Sequence, residues 1–204
     1  MGVYRERVLP RIHNRVLASA EIDEIRARVC APLHGTVVEI GFGSGLNIPH
    51  YPATVSQVLA IEPSALAKRL AEPRVRAAGV PIEFVGDDGQ LLPLPDGSVD
   101  TALITFSLCS IPDQPAAARE LHRVLRPGGF ICYVEHGLHP DPTVARWQRR
   151  LNPVNRRVSG CWLDTGTDPV LRDAGLTPQE REYDVRRAAR VSGHLHEGIA
   201  RKSA

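Results

Sequence analysis

Apolar residues in the first thirty positions fall at Val3, Ile12, Val16, Ile22, Ile25 and Val29, with charges between them. That spacing predicts helix, broken near Pro10. The segment Ala31-Pro32-Leu33-His34-Gly35 punctuates the chain, and from Thr36 onward the period changes. Short β-branched runs at Thr36–Ile40, Gln57–Ile61, Ile82–Val85, Val99–Phe106 and Phe130–Val134 read as five strands. Between them lie two helical stretches. Ser64 is placed to cap a helix running through Leu70. Asp113-Gln114-Pro115 opens a second helix that ends at Leu125, before Arg126-Pro127-Gly128-Gly129. The remainder predicts a basic helix over Pro142–Arg157, a short one over Asp168–Ala174, and a closing strand pair at Thr177–Val185 and His194–Arg201.

Strands alternating with helices predict an α/β fold: a Rossmann-like, doubly wound, mostly parallel seven-stranded sheet with helices on both faces. Residues 1–34 read as an N-terminal helical extension or cap on a domain spanning 35–204. The chain's 204 residues suit one domain, and 43% hydrophobic content supplies a core without staples. With a net charge of +2 and scattered arginines, nucleic acid is not the expected partner. No apolar run has the length of a membrane span, and Arg5, Glu6, Arg7 and Arg11 interrupt any signal-peptide core. Cys30, Cys109, Cys132 and Cys161 form no CxxC pair, so they read as reduced thiols of a cytoplasmic protein.

The chemistry concentrates where strands end. The first strand delivers Glu39 into Gly41-Phe42-Gly43-Ser44-Gly45, a turn whose glycines permit positive φ and close backbone approach to a ligand. A helix N-terminus following such a turn would offer free N–H groups to a carboxylate. Glu62, next to Pro63, ends the second strand about 20 residues on, where a carboxylate can accept both ribose hydroxyls. Asp88, beside Gly89 after the third strand, is placed to accept from an adenine amino group. Three such features after three successive strands describe an adenosine-shaped site. A nicotinamide-dependent oxidoreductase shares the fold class, but its GxGxxG spacing differs from the GxGxG found here. A non-catalytic adenosine-binding domain is the other reading.

The run Val37-Val38-Glu39-Ile40-Gly41-Phe42-Gly43-Ser44-Gly45, with Leu92 to Asp100 and Leu121 to Gly129, resembles the class I S-adenosylmethionine-dependent methyltransferases over residues 36–135. Within them, Gly45-Leu46-Asn47-Ile48-Pro49-His50-Tyr51-Pro52, Ser107-Leu108-Cys109-Ser110 and Val134-Glu135-His136 resemble the alkyl thiol methyltransferases of the methyltransferase-like family. Similar segments occur in bacterial phospholipid N-methyltransferases. The resemblance implies S-adenosylmethionine as cofactor, held by Glu39, Gly41, Phe42, Gly43, Gly45, Asn47, Glu62, Pro63, Asp88, Gly89, Ser107 and Leu108. In that set the backbone at Gly41 and Gly43 meets the methionine, Glu62 the ribose, Asp88 and Gly89 the adenine. Ser107 and Leu108 form the floor beneath the sulfonium, while Asn47 and His50 face either cofactor or acceptor.

The implied reaction is methyl transfer to a small molecule, a thiol for preference, with phospholipid, nitrogen or oxygen acceptors as alternatives. His136 is the candidate base, its ring oriented by Glu135. The helix carrying Trp147 and Arg146, Arg149, Arg150, Arg156 and Arg157 reads as a solvated basic face. His194 and His196 share one strand face, but no third metal ligand is visible beside them, so no metal is expected. Oligomeric state is left open.

Overall fold

The computed structural model describes residues 3–185 and 188–203; Met1, Gly2, Arg186, Arg187, Ala204 and the side chains of Val3 and Arg5 lie outside the described residues. Seven strands, β1 (Gly35–Ile40), β2 (Val55–Ile61), β3 (Ile82–Gly86), β4 (Val99–Thr105), β5 (Leu125–His136), β6 (Leu176–Asp184) and β7 (His194–Lys202), form one sheet. Its order is β3-β2-β1-β4-β5-β7-β6. The first five strands are parallel, and β7 runs antiparallel to both neighbours. The order reverses between β1 and β4, so their carboxyl ends open a crevice there.

The N-terminal segment folds as α1 (Val3–Arg7), α2 (Leu9–Val16) and α3 (Ala20–Cys30). Pro10 stands in the first turn of α2, where its missing N–H costs nothing, and the break falls at Val8 instead. Then come α4 (Ala65–Arg76), α5 (Gln114–Val124), α6 (Pro142–Val158) and α7 (Thr167–Asp173). Both predicted caps form: the Ser64 hydroxyl accepts from Ala67 N–H at 3.2 Å and the Asp113 carboxylate from Ala116 N–H at 2.9 Å.

One expectation fails. No α-helix follows β1; the glycine loop leads into a single 3-10 turn at Ile48–His50. Pro49 and the preceding glycines explain this, because neither favours propagation of a helix. The sheet face left bare is covered by α3. Ile22, Ile25, Val29 and Cys30 pack with Val37, Phe42, Val58 and Cys132 in one buried cluster, so the extension and the sheet share a core. The opposite face buries Ile104, Ile131 and Tyr133 under Ala117 and Leu121 of α5 and Leu171 of α7. Among the described residues, no helix is long and apolar enough to cross a membrane.

Candidate active site

A cavity of about 700 Å³ opens at the strand reversal. Eight of the twelve predicted cofactor residues line it: Gly41, Phe42, Gly43, Glu62, Pro63, Asp88, Gly89 and Ser107. Gly41 has φ +74°, and a Cβ there would stand 2.3 Å from the Ser107 side chain. Gly43, at φ +60°, donates its N–H to Glu62 Oε2 at 2.7 Å, while Ser64 N–H donates to Oε1 at 2.7 Å. Glu62 therefore clamps the glycine loop to the end of β2. Burial pushes its pKa above the ordinary range, and these two bonds pull the other way. Asp88 is exposed and accepts from the Gln90 N–H at 2.9 Å, in the cavity rim.

Glu39, Gly45, Asn47 and Leu108 stand behind the lining rather than in it. Glu39 is fully buried. It accepts from Asn47 Nδ2 at 2.9 Å and from the Tyr51 hydroxyl, and burial lifts its pKa to about 7. Asn47 also donates to Thr105 Oγ1 at 2.9 Å and accepts from Arg26 Nη1 at 2.6 Å. Arg26, from α3, is 4% exposed, bonds Thr105 Oγ1 at 3.0 Å and lies over the Phe106 ring. It reaches the cavity wall as a fixed positive charge, and its Nε has no hydrogen-bond partner. Nothing local to Arg26 in the sequence announces this. His50 turns away from the cavity and pairs with Asp23 Oδ1 at 2.9 Å.

The expected Glu135–His136 partnership is not made. Neighbouring residues on a strand point to opposite faces. Glu135, fully buried, accepts from the backbone N–H groups of Ser107 (2.7 Å), Leu108 (2.9 Å) and Cys109 (3.2 Å), which fixes the loop under the cavity. Burial raises its pKa to about 7 against those three bonds. His136 lies against Phe106, with ring centroids 5.7 Å apart, and burial with the neighbouring His13 lowers its pKa to about 4. Its Nδ1 faces Cys161 Sγ at 3.5 Å and Cys109 Sγ at 3.8 Å. The cavity instead receives His13 of α2, half-buried, bonded to the Ser159 backbone and held below the ordinary imidazole pKa by burial.

Two of the four cysteines are not free. Cys109 and Cys161 form a disulfide across 52 residues, tying the loop after β4 to the segment after α6, whereas Cys30 and Cys132 are buried thiols. The sequence showed no close cysteine spacing because this pair is made by the fold. Removing the bond with a phosphine reductant, or by Cys161→Ser, is expected to cost about 2–4 kcal/mol. Differential scanning calorimetry should show a melting point about 5–10 °C lower; an unchanged transition would mean the bond does not restrain the fold. The helix α6 also differs from a purely basic face: Trp147, Leu151, Val154 and Val158 are exposed beside its arginines.

A glycine cradle that admits no Cβ at Gly41, a ribose-height carboxylate at Glu62 and a buried cation at Arg26 fit an adenosyl amino acid. Residues 38–133 match the methyltransferase domain family. An S-adenosylmethionine-dependent methyltransferase structure from Thermotoga maritima superposes with a TM-score of 0.68 at 20% identity, covering 95% of this chain and 94% of that one. Over residues 38–133 the chain belongs to the methyltransferase domain family, and its fold is that of the class I methyltransferases. Among curated proteins it is similar to thiol S-methyltransferase TMT1B of Rattus norvegicus, 32% identical over 155 residues. It is likewise similar to thiol S-methyltransferase TMT1A of Homo sapiens, 34% identical over 162 residues. Each match covers 72% of this chain and 62% of the relative, so the chain spans about three fifths of those proteins.

Proposed function

We propose that the protein transfers the methyl group of S-adenosylmethionine to a small-molecule thiol, without nucleic acid as substrate. The observation that carries the thiol is the similarity to two thiol S-methyltransferases over most of this chain. When bound, the cofactor supplies a methyl made electrophilic by its sulfonium. In this reading Glu62 accepts the ribose hydroxyls, Asp88 and Gly89 border the adenine, and Arg26 faces the carboxylate of the methionine part. Glu135 acts as a positioning residue through the Ser107–Cys109 backbone, and His136 backs the Phe106 wall.

The chain's chief contribution is alignment, worth up to about 7–11 kcal/mol in favourable cases. Deprotonation is worth less. A thiol of pKa about 8.5 is a few per cent thiolate at pH 7, so full ionisation gains only about 2 kcal/mol. His13 is the group placed to take that proton: one side of its ring is bonded to the Ser159 backbone, and its lowered pKa keeps it neutral at pH 7. His13 would take the thiol proton on its second ring nitrogen, leaving the acceptor as the thiolate that methyl transfer consumes.

His13→Asn is expected to lower kcat/KM about 10–30-fold at pH 7, with cofactor affinity unchanged. The deficit should close above pH 9, where the acceptor ionises unaided. A loss that persists undiminished at high pH would remove His13 from proton transfer. The acceptor class is tested by incubating the protein with methyl-labelled cofactor and a panel of thiols, phenols, amines and phospholipids. Thiols should carry the label; transfer confined to another class overturns the thiol reading.

A further inference from the structure

At the far edge of the sheet, outside the methyl-transfer cavity, antiparallel pairing puts Glu182 opposite His196 and Asp184 opposite His194. Residues two apart on a strand share a face, so Glu180, Glu182 and Asp184 of β6 confront His194 and His196 of β7. His194 is 4% exposed and His196 8%. Neither His194 Nε2 nor His196 Nε2 makes a hydrogen bond of ordinary geometry, although both are buried, and His196 Nδ1 faces Glu180.

The carboxylates stand at a particular distance. Glu182 Oε2 is 3.5 Å from His194 Nε2, and Glu182 Oε1 is 4.0 Å from His196 Nε2. These separations are long for hydrogen bonds. They approach the spacing of about 3.3–3.6 Å between ligands that share a tetrahedral ion at ~2.0–2.2 Å. One candidate donor atom from each of Glu182, His194 and His196 lies within 4.8 Å of the others.

The supporting contacts have the polarity a metal ligand needs. His194 Nδ1 donates to Asp184 Oδ1 at 2.9 Å, which leaves the lone pair on Nε2, the atom without a partner. Glu180 Oε1 lies 3.4 Å from His196 Nδ1 and biases that ring the same way. A carboxylate behind each ligating imidazole is the usual way proteins fix a histidine's tautomer toward a metal. Glu182 is half-exposed and shares a groove with His139 and Arg146, Arg149 and Arg150, so the fourth position faces solvent.

We infer that His194, His196 and Glu182 bind a divalent transition-metal ion, zinc by the nature of its ligands, with Asp184 and Glu180 as supporting carboxylates and water in the fourth position. The site is independent of the acceptor's identity. Two imidazoles and one carboxylate with an open position suit Zn²⁺ or Co²⁺ over Mg²⁺ or Ca²⁺, which prefer all-oxygen shells.

The test uses the full-length protein after chelator treatment. Isothermal titration with Zn²⁺ should show one site at micromolar or tighter Kd, and Co²⁺ should give visible d–d absorption with 1:1 stoichiometry. Zn²⁺ should also raise the melting temperature, since only the folded chain assembles the ligands. Glu182→Gln and His196→Gln should each weaken Co²⁺ binding by more than the roughly 10–100-fold typical of losing a supporting partner. Glu182 lies half-exposed on an edge strand, so its variant keeps the fold and isolates the ligand. Absence of saturable 1:1 binding overturns the inference. So does binding that both variants leave intact, or a sulfur-to-cobalt charge-transfer band placing the ion at reduced Cys109 and Cys161.

Discussion

Glu62→Ala is expected to weaken S-adenosylmethionine binding by two to three orders of magnitude while leaving the fold largely intact. The 6%-exposed carboxylate accepts from Gly43 N–H and Ser64 N–H, both at 2.7 Å, so it shapes the glycine loop as well as, in the proposed reading, accepting the ribose hydroxyls. Hydrogen bonds to a charged group contribute about 1.5–3 kcal/mol each. Losing the ribose contacts and the clamp together should cost about 3–4 kcal/mol of binding, and each ~1.4 kcal/mol is tenfold in Kd. Gly43 holds its left-handed conformation through that clamp, which ties binding to loop order. Glu62→Gln should fall between, since an amide keeps one acceptor but presents a donor to one of the two N–H groups. Calorimetry with the cofactor measures both variants. A Glu62→Ala protein with a Kd within threefold of the parent would remove Glu62 from the cofactor site.

Glu135→Ala should damage stability and turnover together. Its two oxygens satisfy three amide donors, those of Ser107, Leu108 and Cys109, beneath the cavity. A buried polar group left unsatisfied costs about 1–3 kcal/mol. With some relaxation, a net loss of about 3–5 kcal/mol follows, or about 10 °C in melting temperature for a chain of this size. Turnover should fall by 10² or more, because a displacement near 1 Å at the reacting atoms is that damaging. Glu135→Gln keeps the oxygen that serves Ser107 and Leu108 but sets an NH₂ against Cys109 N–H, so about a third of the stability loss is expected.

The pH dependence is a separate check on the same residue. Burial raises the folded pKa of Glu135 to about 7, above the value of about 4.3 in an unfolded chain. Its protonated form therefore favours folding: the contribution is complete below about pH 4.3 and is lost as pH rises through 7. Subtracting the melting profile of Glu135→Ala from that of the parent should show this slope. Parent-like stability and kcat in Glu135→Ala would mean the loop is held by other contacts.

Much of the scaffold was readable from local pattern. The shift from helical spacing to short β-branched runs at Thr36, the caps at Ser64 and Asp113, and the glycines at 41, 43 and 45 each depend on neighbours a few residues away. Such patterns set backbone dihedrals and the face a side chain takes, so the seven strands and the Gly41–Glu62 half of the site follow from them. Even the opposed directions of Glu135 and His136 are implied by the period of two, although proximity in sequence suggested a partnership.

The rest was decided by contacts that no local pattern encodes. The glycine loop and Pro49 denied β1 a following helix, and α3 took that face, bringing Arg26 to the cavity and α2 bringing His13. The bond between Cys109 and Cys161, 52 residues apart, depends on where α6 ends relative to β4. His194 and His196 were visible as a same-face pair, but Glu182 joins them only through the register of β6 against β7. Register is fixed by the whole sheet's burial pattern rather than by the residues it brings together. Local sequence therefore set the fold class and the glycine loop of the cofactor site, while tertiary packing chose which side chains line the cavity and which cluster at the sheet edge.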